Sequence, residues 1–123
     1  MPPDEGVVAS ALELIEIDEV ARLLAAGAEG LFTEAERAYA GSKPDPARRL
    51  AARLAAKRAA ARLLGVSVRE VEVLRDHGRP PRLRLSALAQ ERLRELGAVR
   101  ALVSLTHERR HAAAAVVLLG EEG

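Results

Sequence analysis

Apolar and polar positions alternate with two different periods along this chain. From Val7 to Ile17 the period is two: Ala9, Ala11, Glu13 and Ile15 share one face, and Val8, Ser10, Leu12 and Leu14 the other. That predicts a strand, and its low charge predicts a central place in a sheet. Asp18 to Ala26 reads as a helix ending near Gly27. Thr33 is placed to N-cap a short helix, with Glu36 three residues on as its capping-box partner. Gly41 to Pro44 is a loop. Asp45 then caps, and Pro46 opens, a long helix that Gly65 closes. Within it Leu50, Leu54, Ala61 and Leu64 form an apolar stripe, and Lys57 and Arg58 fall inside that stripe. Two cations directed at a core call for an anion: a carboxylate, a phosphate, or both.

The second half continues the mixture. Val68 to Leu74 alternates as a strand, with Val71 and Val73 on one face. Asp76 to Pro80 is a turn, and Arg82 to Leu85 a short strand. Ser86 caps a helix that runs through Leu96 and stops at Gly97. Val99 to Leu105 and Ala112 to Leu119 are expected to form a hairpin about the polar turn Glu108 to Arg110. Helices interspersed with hairpins predict an α+β fold on a mainly antiparallel sheet with a long packed helix. The 123 residues fit a single domain, 1–123, with loose ends at 1–6 and 120–123.

Composition narrows the chemistry. Nineteen basic residues oppose 18 acidic ones, so no global field favours nucleic acid or a membrane, and any anion site must be local. Aromatics at 2% argue against base stacking on single strands. The absence of cysteine excludes disulfides, thiolate metal sites and a Cys nucleophile. His77, His107 and His111 are too few and badly spaced for a structural zinc site. No apolar run reaches membrane-spanning length and no signal peptide is seen, so a cytoplasmic protein is the expectation. No Walker phosphate loop, nucleophile elbow or dinucleotide fingerprint occurs.

Four segments, in order, resemble one family: the holo-acyl-carrier-protein synthases, the small 4'-phosphopantetheinyl transferases. They are Glu13-Leu14-Ile15-Glu16-Ile17, Phe32 to Tyr39, the helix Arg49 to Gly65, and Gly78-Arg79-Pro80 with Val103-Ser104-Leu105-Thr106-His107. The resemblance implies the phosphopantetheinyl-transferase fold, coenzyme A as substrate and an acyl carrier protein as partner. It also implies a homotrimer with sites between subunits, and a Mg²⁺ that neutralises the pyrophosphate while a serine oxygen attacks phosphorus.

The resemblance further implies which residues work. The family's metal ligands are a strand Asp and a helix Glu; Glu13 and Arg58 stand at those positions here. Arg58 cannot ligate Mg²⁺. Ordinary Mg-dependent activity is therefore expected to be impaired, and Glu13 and Arg58 are expected to meet as an ion pair where the metal would sit. Ala11 stands where the family usually has Gly, Glu19 where it often has Arg, and Leu54 and Ala60 replace bulky aromatics. Lys57 is expected to face the pyrophosphate, and His107 or Glu108 to take the serine proton. Arg49, Arg53 and Arg62 meet phosphates or form a solvated face. Gly78-Arg79-Pro80 lies near the nucleotide or is an ordinary turn. Two readings compete with transfer: a non-catalytic binder of coenzyme A or carrier protein, and a reused cleft with another ligand or reaction.

Overall fold

The computed structural model describes residues 6–76 and 78–121, and only the backbone of Glu29. His77 and most of the two expected loose ends lie outside that range. Where the ends are described they are tied together, Gly120 N donating to Gly6 O at 2.9 Å.

Strand β1 (Val7–Glu16) leads directly into helix α1 (Ile17–Ala25), and a 3₁₀ turn over Ala28–Leu31 precedes α2 (Glu34–Gly41). The long helix α3 (Pro46–Leu64) is followed by a second 3₁₀ turn, Val68–Glu70. Then come β2 (Val71–Leu74), β3 (Arg82–Leu85), α4 (Ala87–Glu95), β4 (Ala98–His107) and β5 (His111–Gly120). Both sheets are antiparallel: a three-stranded one in the order β1-β5-β4, and the hairpin β2-β3. The expected α+β arrangement is present, with four α-helices around antiparallel strands.

Several local expectations need correction. The strand in the middle is β5, not β1. Its run Ala112 to Gly120 carries no charge, and its alanines at 112 and 114 let α3 approach closely. The segment from Val68 begins as a 3₁₀ turn because Ser67 binds it locally: its hydroxyl accepts Arg69 N, and its carbonyl accepts Glu70 N. Asp45 does not cap α3. It adopts a left-handed backbone (φ 59°), which Asp tolerates, and its carboxylate lies 3.2 Å from Arg48 Nε instead.

The expected capping box of α2 forms: Thr33 Oγ1 accepts Glu36 N at 3.1 Å, and Glu36 Oε1 accepts Thr33 N at 2.8 Å. Ser86 caps α4 through Ala89 N. Helix α3 is not a surface helix with one stripe. Residues 50–57 and 59–61 are all buried, because α1, α2, β2 and the inner face of the sheet wrap it. Its many alanines suit that place, since small side chains bring neighbours close on every side. Ala112, Ala114, Val116 and Leu118 of β5 form the floor beneath it. The outer face of the sheet is left open, and Leu12 and Leu14 are 70% and 67% exposed there.

Candidate functional site

Helix α3 carries two arginine pairs that precede one another by nine residues, Arg49/Arg53 and Arg58/Arg62. Nine residues are two and a half turns at about 3.6 residues per turn, so the pairs face opposite sides of the helix. Each pair builds a different local environment.

Arg49 and Arg53 open onto a pocket of about 250 Å³ together with Arg75 and His107, walled by Tyr39, Ala52, Leu105 and Thr106. Arg53 is 3% exposed. Its guanidinium lies 4.2 Å from the centre of the Tyr39 ring, and Nη1 donates to Arg49 O at 3.1 Å. Arg53 Nε and Nη2, and Arg49 Nε, are buried with no hydrogen-bond partner among the described residues. Buried donors left unpaired are costly, and three guanidinium side chains converging on one pocket suit an anion there. Burial holds the Arg53 pKa below its ordinary value. The pKa of His107 is also lowered, by burial first and then by Arg49 and Arg48, against a smaller opposing effect of Asp45. The pocket's field is therefore positive, and its imidazole favours the neutral form at pH 7.

The other pair sits against carboxylates. Arg62 Nη1 lies 2.6 Å from Glu13 Oε2, and Nη2 donates to Leu12 O at 3.2 Å. Arg58 Nη1 lies 3.1 Å from Glu19 Oε2. The expected Glu13–Arg58 pair is replaced by these two. Glu13 does project from the inner face of β1, but it meets Arg62, one turn further along α3. Arg58 turns to α1, where Glu19 supplies its partner.

The implied Mg²⁺ does not fit this arrangement. Glu13 and Glu19 are each already held by a guanidinium, and Glu16 lies on the opposite face of β1. No group of three or more His, Cys, Asp or Glu among the described residues is placed to hold a metal ion. Hard divalent cations want several oxygen ligands, and fixed guanidinium charges repel them.

Lys57 points elsewhere again. It is 1% exposed, and Nζ lies 2.7 Å from Glu36 Oε1. The other oxygen of Glu36 accepts Val73 N at 2.7 Å. One buried carboxylate thereby joins α2, α3 and β2. The cation aimed at the core has found a carboxylate, so a phosphate is not needed to explain it. Glu108 is fully engaged in its own turn: Oε1 accepts from Arg110 N, His111 N and the His111 ring. Those bonds, the Arg110 amide foremost, hold its pKa at about 2, which makes it a weak base. Gly78, Arg79 and Pro80 form an exposed turn, closed by Arg79 N on Asp76 O, and do not line the basic pocket. Arg75 escaped the sequence reading. Its signal was present: it continues the parity of Val71 and Val73, whose side chains face α3.

No family model matches the chain. Individual relatives do. The holo-[acyl-carrier-protein] synthase of Anaeromyxobacter sp. (strain K) is 40% identical over 119 residues, covering 89% of this chain and 93% of the relative. That of Thermus thermophilus is 42% identical over 117 residues, covering 91% and 93%. Among solved structures, the Chronobacterium ammoniagenes ACPS–CoA complex superposes with a TM-score of 0.80 at 25% identity, over 93% of this chain and 98% of that one. With such relatives spanning nearly its whole length, the chain belongs to the holo-[acyl-carrier-protein] synthase family.

Proposed function

We propose that this chain binds coenzyme A by its phosphates and transfers the 4'-phosphopantetheine arm to a serine of an acyl carrier protein, with ordinary Mg-dependent turnover impaired. The observation that carries the reading is the pocket in which the guanidinium groups of Arg49, Arg53 and Arg75 converge beside His107. Such a pocket suits a phosphate, which accepts several charge-assisted hydrogen bonds at once. A relative that is 25% identical was solved with coenzyme A, which supports the choice of ligand.

In the transfer, the serine Oγ forms a bond to the phosphorus that carries the pantetheine arm. The bond from that phosphorus to the bridging oxygen breaks, and adenosine 3',5'-diphosphate leaves. The serine proton passes to a base, for which neutral His107 is better suited than Glu108. Lys57 acts indirectly, by anchoring α3 to α2 and β2 through Glu36.

One copy does not bring both arginine pairs to the same ligand, because they lie on opposite sides of α3. A shared site between copies would. The open sheet face supports that assembly, with Leu12, Leu14 and Leu102 exposed at 70%, 67% and 46%. Apolar surface of that kind is usually covered by a partner, and a homotrimer of this chain is the assembly we favour.

A second reading is a binder of coenzyme A that does not turn over. It is favoured by the guanidinium groups that already hold Glu13 and Glu19. Titration calorimetry with coenzyme A tests the shared premise. Wild type should bind, and Arg49→Gln should bind at least about tenfold more weakly. No binding heat at any concentration would contradict both readings and leave the reused cleft.

A further inference from the structure

We infer that Arg58 and Arg62 take the place of a divalent cation in this chain, so that coenzyme A is held at its diphosphate by guanidinium groups and without a metal. The inference rests on the reading above that coenzyme A is the ligand. It starts from the disagreement between the family's metal and the donor set found here.

The two arginines are four residues apart and share one face of α3. Their carboxylate partners come from two other elements, Glu13 from β1 and Glu19 from α1. Both guanidinium groups remain open to a ligand: the side chains of Arg58 and Arg62 are 34% and 58% exposed. A guanidinium has five N–H donors in a planar fork. Arg58 directs one of them at Glu19, while Arg62 directs one at Glu13 and one at Leu12 O. The rest can meet phosphate oxygens in pairs, which is the geometry Arg offers and a metal-bound water shell does not.

The carboxylates have a second part to play. They neutralise and orient the arginines in the free protein, and they compete with an incoming diphosphate. A divalent cation arriving here would meet two fixed positive charges and two carboxylates already engaged. The array therefore excludes the cation and admits the anion.

The test uses the full chain and two probes, Mn²⁺ by electron paramagnetic resonance and coenzyme A by calorimetry. The free Mn²⁺ signal should be unchanged by the protein, with or without coenzyme A. Coenzyme A affinity should agree in EDTA and in Mg²⁺ to within about twofold, and Arg58→Gln and Arg62→Gln should each lower it at least about tenfold. Arg58→Lys, which keeps the charge and loses the fork, should fall between. Arg92→Gln on α4 should leave it unchanged. Thermal melts of each variant separate lost binding from lost folding.

Stoichiometric Mn²⁺ binding in the presence of coenzyme A would overturn the inference and leave the coenzyme A reading intact. So would affinity that appears only with Mg²⁺, or folded Arg58→Gln and Arg62→Gln variants that bind like wild type. Absence of coenzyme A binding in both buffers would overturn the inference and the reading together.

Discussion

Arg62 Nη1 approaches Glu13 Oε2 to 2.6 Å, so the carboxylate that stands at a family metal position is the acceptor of an arginine on the facing helix. This gives a substitution whose two interpretations have opposite signs. If Arg62 is a phosphate-binding group restrained by Glu13, then Glu13→Gln frees it, and coenzyme A should bind severalfold more tightly. If Glu13 is a metal ligand, the same change weakens Mg-dependent binding. Stability should hardly move, by less than about 1 kcal/mol, because the pair is half open to water. Calorimetry with coenzyme A, beside a urea titration, reads both quantities.

Lys57 and Glu36 form a pair of a different kind, buried and shared among three elements. Lys57→Met would leave the Glu36 carboxylate facing the core with one partner fewer. Breaking a buried pair from one side costs about 3–5 kcal/mol, enough to lower the urea midpoint sharply. A loss below about 1 kcal/mol would mean that Glu36 finds water or another donor and that the junction is not structural.

His107 offers a pH readout of the basic pocket. Burial and the nearby Arg49 and Arg48 hold its pKa below the ordinary value. The unfolded chain therefore binds more protons than the folded one just below pH 6.5. This contribution to stability is complete above about pH 6.5 and is lost as pH falls toward the folded value. A phosphate in the pocket reverses the local field, so coenzyme A should raise the His107 pKa. Imidazole resonances followed by NMR across pH 4 to 8, with and without coenzyme A, should show that rise in the His107 signal. An unmoved titration would place the phosphates elsewhere.

The open sheet face carries a prediction on assembly. Leu12 faces Ala115, and Leu14 faces Ala113, across β1 and β5, and among the described residues nothing covers them. Sedimentation should find a trimer for wild type and a smaller species for Leu12→Asp with an unchanged far-ultraviolet spectrum. A monomeric wild type would contradict the shared site.

How much of this could be read from the chain depends on distance along it. Thr33 and Glu36 announce their capping box because both partners lie within one turn, and the hairpin of β4 and β5 is legible for the same reason. The order of motifs also pointed to the family. The destination of each cation was not legible. Lys57 finds Glu36 across 21 positions, Arg58 finds Glu19 across 39, and Arg62 finds Glu13 across 49. Whether Glu13 meets residue 58 or residue 62 turns on a shift of one helical turn between α3 and β1, which no local pattern fixes. The place of β1 at a sheet edge has the same origin. Its low charge is the mark of a covered strand, and a second copy of the chain would provide the cover that the first lacks.

The most direct measurement is the intact mass of an apo acyl carrier protein after incubation with coenzyme A and this protein, once with Mg²⁺ and once with EDTA. The account predicts a mass gain equal to the phosphopantetheine arm in both samples, slower than with an active family member and insensitive to the chelator. A gain confined to the Mg²⁺ sample would contradict it, as would no gain beside an active control.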